Sequence, residues 1–176
     1  MIRSVVRHLI LLAFVVLLAG CVTTRNVTDG TRVPPGYGLV VFKAKTDMPW
    51  AQLHYTHFKS QMTLGSALAE EFFGPEGAFL IEQGEKYWVR PVKVGDYMWS
   101  KVAVSGRYAL FDGTNRFTVK SGQITYIGHL TLDGTDGFSA RITAADNEGD
   151  MVEYLKAHYP NYYASMSFTK SVTDFL

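Results

Sequence analysis

The chain has 176 residues, 17 basic and 16 acidic side chains, and hydrophobic residues make up 47% of it. That length suits one domain with a core of its own. Cys21 is the sole cysteine and no run of like charge occurs, so disulfide staples, thiolate zinc sites and a basic nucleic-acid face are excluded.

The first segment has three parts. Met1 to His8 carries Arg3 and Arg7, Leu9 to Leu18 is wholly apolar, and Ala19-Gly20 are small. This is the order of a secretory signal. A membrane-spanning helix needs about 20 apolar residues; the uncharged stretch Leu9–Val22 is shorter, and polar Thr23-Thr24-Arg25 follow. The competing reading is a short anchor left uncleaved.

Leu18-Ala19-Gly20-Cys21 resembles the lipobox of bacterial lipoproteins. The resemblance implies that the Cys21 sulfur takes a diacylglycerol, that cleavage removes residues 1–20, and that the new amino group is acylated. Val22, rather than Asp, follows the cysteine. By the same resemblance this favours the outer membrane, with the domain facing the periplasm. Loss of Arg3 and Arg7 leaves 15 basic against 16 acidic residues, a formal charge of −1.

Residues 21–36 are polar, lack a hydrophobic period and end in Pro34-Pro35-Gly36; a flexible tether is expected. Residues 37–145 then read as a β-sandwich domain. Gly38–Ala44 is apolar on both faces, as a covered strand would be. Ala51–Phe58, Ala78–Glu82, Lys86–Val94 and Tyr97–Ser105 follow as strands, with Pro91 placing its segment at an edge or bulge. Ser66–Phe73 reads as a short helix. Arg107–Phe111 and Arg116–Lys120 are brief strands.

The clearest period of two runs over Gln123–Leu132. It sets Ile124, Tyr126, Leu130 and Leu132 on one face and Gln123, Thr125, His129 and Thr131 on the other. Phe138–Ala145 repeats the alternation, with Phe138, Ala140, Ile142 and Ala144 inward and Ser139, Arg141 and Thr143 outward. Gly95-Asp96, Ser105-Gly106, Asp112-Gly113, Ser121-Gly122 and Asp133-Gly134 read as turns. Many short strands at this spacing predict an antiparallel sandwich or barrel.

Residues 146–176 read as a C-terminal helix and a packed tail. Asp146 or Asn147 caps a helix through His158, whose stripe is Met151, Tyr154, Leu155 and His158, and Pro160 closes it. The domain resembles the small prealbumin-like or carboxypeptidase-regulatory-like sandwiches of bacterial lipoproteins. The resemblance rests on Val94-Gly95-Asp96-Tyr97 and on the strand pair Phe117–Tyr126 joined at Ser121-Gly122. It implies a fold and no site residues.

Chemistry is sought in five places. His54 and His57 could ligate a metal on a helix at i, i+4, but they stand three apart on a strand and point oppositely. Glu70 and Glu71 are neighbours on a helix face, whereas acid/base carboxylates must converge across one bond. Asp29, Asp112 and Asp133 each open Asp-Gly-Thr, and Asp133 with Asp136 lacks the closing Glu of a calcium loop. Ser105 and Ser121 flank turn glycines without a Gly-x-Ser-x-Gly elbow. Trp88 and Trp99 are either core residues or an exposed platform for sugar or peptide.

No catalytic, cofactor or metal residue is therefore assigned, and Cys21 is the one site, for lipid. The expected function is a non-enzymatic binding or structural module. It joins the membrane through lipid on Cys21 and meets a periplasmic protein or peptidoglycan, with no nucleic-acid partner. Two alternatives stay open. One is a cell-wall-acting hydrolase built on His57, Glu70, Glu71 or Asp96; the other is an immunity or inhibitor lipoprotein.

Overall fold

The structure is a computed structural model that describes residues 25–58, 77–104, 107–111, 116–134 and 140–172. The leader, the lipobox, the Ser66–Phe73 segment, the Ser105-Gly106 and Asp112-Gly113 turns and Asp136 lie outside the described residues. Among the described residues eight strands form one mixed sheet: β1 Tyr37–His57, β2 Gly77–Lys93, β3 Gly95–Val104, β4 Arg107–Leu110, β5 Arg116–Val119, β6 Gln123–Gly134, β7 Ala140–Ala145 and β8 Ser167–Lys170. Among them also are two helices, α1 Glu148–His158 and α2 Pro160–Ser165, just before β8.

The mainly-β sandwich expected from the strand pattern is what the chain forms, by folding two long strands. Gly38–Ala44 and Ala51–Phe58 are halves of one strand, β1, interrupted where Thr46 faces Gly84 and Trp50 faces Glu82. The two predicted strands of β2 merge in the same way. The first half of β1 lies between β2 and β6, and its second half between β2 and β3. The two halves of the sheet close on each other, so that Phe42 of β1 meets Phe79, the β2 partner of Leu53, edge-to-face at 4.9 Å. Not all pairings are antiparallel. β1 runs parallel to β6, and β6 parallel to β8.

Two cores result. The inner one joins Val40, Phe42, Leu53, Trp88, Trp99, Phe117 and Leu130 between the sheet halves. The outer one joins Leu39, Val41, Ile124 and Tyr126 to Met151, Leu155, Tyr159 and Tyr162 of the helical layer. This explains why Gly38–Ala44 is apolar on both faces: Val40 and Phe42 point inward while Leu39 and Val41 point to the helices.

The expected faces of β6 are corrected by a bulge. Val41 pairs with Tyr126 but Lys43 pairs with His129, so β6 carries one extra residue opposite Phe42. Gly128 takes φ +107° there, a conformation that costs an L side chain dearly. Past the bulge the alternation reverses. Ile124 and Tyr126 face the helices, whereas Ile127, Leu130 and Leu132 face the inner core.

The end of the chain differs as well. Pro160 closes α1 but also opens α2, since its missing N–H falls where a helix needs none. The inward stripe of α1 is Met151 and Leu155, continued by Tyr159, while His158 is exposed. The tail packs as expected, pairing β8 with β6. Gly95-Asp96 opens β3 and Asp133-Gly134 ends β6, so neither is a free-standing turn.

Candidate functional site

The densest polar constellation lies where α1 meets the sheet. Lys43 sits on β1, Glu85 and Tyr87 on β2, His129 just past the β6 bulge and Asp150 in the first turn of α1. The Lys43 ammonium lies 2.6 Å from Glu85 and 3.2 Å from Asp150. The Tyr87 hydroxyl donates to Asp150 at 2.7 Å, and its ring stacks on Tyr154 at 3.8 Å. Asn147 Nδ2 lies 3.2 Å from His129 Nδ1. With that nitrogen accepting, His129 Nε2 carries the proton and faces Asp150 from 3.7 Å, too far for a hydrogen bond.

The electrostatics follow from these contacts. The Lys43 pKa is raised chiefly by Glu85 and further by Asp150. The Tyr87 hydroxyl and then Lys43 hold the Asp150 carboxyl below its ordinary value. Burial pushes His129 down, an effect the Asp150 charge only partly opposes and Lys43 reinforces. The charges satisfy one another, and the cluster clamps α1 to three strands. Its makings were in the sequence, with Asp150 in a first helical turn and His129 on a strand. Only the bulge turns His129 toward the helix.

The cluster makes stability depend on pH. His54 is also depressed by burial, and by Lys101 across the strand pair. A histidine whose folded pKa lies below its unfolded value of 6.5 gives full stability above that pH. Stability is lost as pH falls through 6.5 toward the folded value, because the unfolded chain binds more protons. Urea midpoints are expected to fall between pH 7.5 and pH 5, the unfolding free energy dropping by at most about 1.4 kcal/mol per pH unit for each histidine. A midpoint that rises on acidification contradicts this assignment.

A second constellation corrects the expected tether. Over Asn26–Gly36 the segment is fastened to the domain. Asn26 Nδ2 donates to the Tyr87 carbonyl at 2.8 Å, Asn26 Oδ1 accepts from Val89 N at 3.0 Å, and Val27 N donates to the Val89 carbonyl at 3.1 Å. Among the described residues β2 pairs only with β1, so this is its outer edge, and Pro91 removes the next donor along it. The edge that could have accepted a foreign strand is closed there.

Asp29 completes the fastening. Its carboxylate accepts from the backbone N–H groups of Asn161 and Tyr162, at 3.1 and 3.2 Å, and from Asn161 Nδ2 at 2.8 Å. These are second and third positions of α2, whose own preceding residue, Tyr159, offers no side-chain cap. Asp29 is thus an N-cap supplied from 132 residues away. Its pKa is lowered: desolvation raises it, but the hydrogen bonds from Asn161 and Tyr162 prevail. Asp29→Ala is expected to speed amide exchange at Asn161 and Tyr162 several-fold and to expose residues 26–36 to protease. Unchanged exchange there would refute the cap.

The other predicted residues fall as follows. His54 and His57 point to opposite faces of β1, as expected of a strand. His57 stacks on Tyr97 at 4.5 Å, and its Nδ1 lies 3.4 Å from the Asp96 carbonyl. The Asp96 carboxylate instead accepts from Thr118 at 2.7 Å. Glu70 and Glu71 lie outside the described residues. Trp88 and Trp99 are core, 5% and 0% exposed, and form no platform. Asp133 is exposed opposite Arg141. Among the described residues no three His, Cys, Asp or Glu side chains are grouped to hold a metal ion. An open groove of about 700 Å³ lies between the fastened segment, the β5–β6 turn and α2, lined among others by Arg32, Pro35, Gly122 and Met166.

The fold is that of a β sandwich with a helical cover. No family model matches the chain, and no curated protein matches it in sequence. Among solved structures, the crystal structure of the type VI secretion lipoprotein TssJ1 from Pseudomonas aeruginosa aligns at 13% identity and a TM-score of 0.28, covering 64% of this chain and 98% of that one.

Proposed function

We propose that the chain is a lipid-anchored sandwich module of the bacterial envelope. It is held at the outer membrane facing the periplasm, where it binds or positions a protein or peptidoglycan. The observation that carries this is Leu18-Ala19-Gly20-Cys21 at the end of a charged and then apolar leader. Each buried methylene contributes about 0.8 kcal/mol, so two or three acyl chains on one residue hold permanently. The domain itself then needs no affinity for lipid to stay at the membrane.

The binding reading is supported by how the polar residues are used. The clamp residues pair with one another, and the Asp96 carboxylate is turned to Thr118 rather than to His57. The test is the mass of the chain isolated from membranes. It is expected to begin at Cys21 and to carry acyl mass, and Cys21→Ser is expected to leave nearly all of the protein as an uncleaved or unlipidated precursor. A membrane-bound product beginning at Met1, or one without acyl mass, overturns the reading.

A further inference from the structure

We infer that the helical layer, around the outward sides of α1 and α2, is the face this domain holds against the lipid surface that takes the acyl chains of Cys21. The inference rests on the anchoring proposed above. What adds to it is where the chain becomes fastened. Asn26 is bound by its side chain to the edge of β2, and Asp29 is bound to α2. Only five peptide steps separate Cys21 from Asn26, which span at most about 18 Å. A domain of this length has a radius of about 19 Å. It can therefore tilt until Asn26 is level with its equator, and no further. The pole opposite Asn26 stays about 20 Å or more above the lipid.

The two poles are identifiable. Beside Asn26 lie Tyr87, stacked on Tyr154, and the C-terminal end of α1. Among the exposed positions of the helices are Glu153, Lys156, Ala157, His158, Pro160 and Ala164. Glu153 and Lys156 offset one another, Asp150 is paired with Lys43, and Lys156 lies 5.4 Å over the ring of half-buried Tyr163. Tyrosine and lysine suit a headgroup layer. Across the inner core from the helical layer lies the outer side of β3 and β4. There Tyr108 and Leu110 pair with Ala103 and Lys101 and are 66% and 72% exposed.

The test uses the lipidated full-length chain in vesicles of phosphatidylethanolamine and phosphatidylglycerol. A fluorophore is placed singly at A157C, A164C, Y108C or L110C, all exposed sites, and quenched by headgroup-spin-labelled lipid. Mass spectrometry first verifies acylation at Cys21; a chain without acyl mass fails the anchoring, and the orientation with it. In acylated protein, quenching at 157 and 164 is expected to exceed that at 108 and 110 several-fold. Equal quenching at all four sites, or stronger quenching at 108 and 110, overturns the orientation alone. A Gly-Ser insertion after Val22 is expected to erase most of the difference; a difference that survives would overturn the short spacer as its cause.

Discussion

Trp99→Ala is expected to remove about 3–5 kcal/mol of stability. Trp99 is fully buried at the centre of the inner core, with ring contacts to Phe117 at 4.9 Å, Phe79 at 6.0 Å and Tyr55 at 6.3 Å. It stands beside a bulge, since His54 pairs with Lys101 while Tyr55 pairs with Trp99. The two strands there cannot slide together to fill a hole without losing register. A domain has about 5–15 kcal/mol in all, so the loss is a large part of it, and the melting temperature should drop by about 8–15 °C. Trp50, 37% exposed on the outer face, is the control, and Trp50→Ala should change little. Equal losses at both positions would show that the inner core is not organised around Trp99. Thermal scans of the two variants decide it.

Gly38→Ala should be comparably severe for a single methyl group. A Cβ at Gly38 would overlap the carbonyl oxygen of Lys120, lie 2.9 Å from Val119 Cγ1 and stand 3.1 Å from the carbonyl of Gln123. Two of these obstacles are backbone, held by the β5–β6 turn, so they cannot swing aside as a side-chain tip would. The first residues of β1 must then withdraw from β6, and both cores meet at that seam. Gly36→Ala is the comparison. Nothing lies within 4 Å of a Cβ there, and only the cost of φ +78° applies, about 1 kcal/mol. A Gly38→Ala domain no less stable than Gly36→Ala in urea unfolding would mean that β1 and the turn are not in the contact described.

Much of the strand plan was legible because burial on one face imposes a period of two, as in Ala140–Ala145, where Ile142 points in and Arg141 out; Phe138 and Ser139 lie outside the described residues. What period alone misses is an inserted residue. Across Gln123–Leu132 the apolar residues Ile124, Tyr126, Leu130 and Leu132 keep one parity, broken by Ile127 alone, and the bulge at Gly128 sends Ile124 and Leu130 to different cores. Both cores are apolar, so the pattern has no polar residue to betray the change. Gly128 was the available signal, an isolated glycine inside a strand.

The clamp was hidden for the same reason, since His129 reaches Asp150 only after that reversal. The supposed tether misled in another way. Asn26 and Asp29 are as polar as a solvated linker should be, but they act as hydrogen-bond partners for a strand edge and a helix start more than 60 residues away. Polarity marks a segment as unable to build a core; it does not say whether the segment is tied to one.

The stitching at Asn26, Val27 and Asp29 also decides how the domain would carry load. Tension from an anchored end enters at the strand edge and meets these bonds one after another, so they open by peeling, which asks little force at each step. Release of Asn26–Gly36 would pay out about 36 Å of slack at about 3.3 Å per residue before β1 itself is strained. The globule beyond would stay intact while its leash lengthened, a small mechanical fuse between the bilayer and whatever it holds.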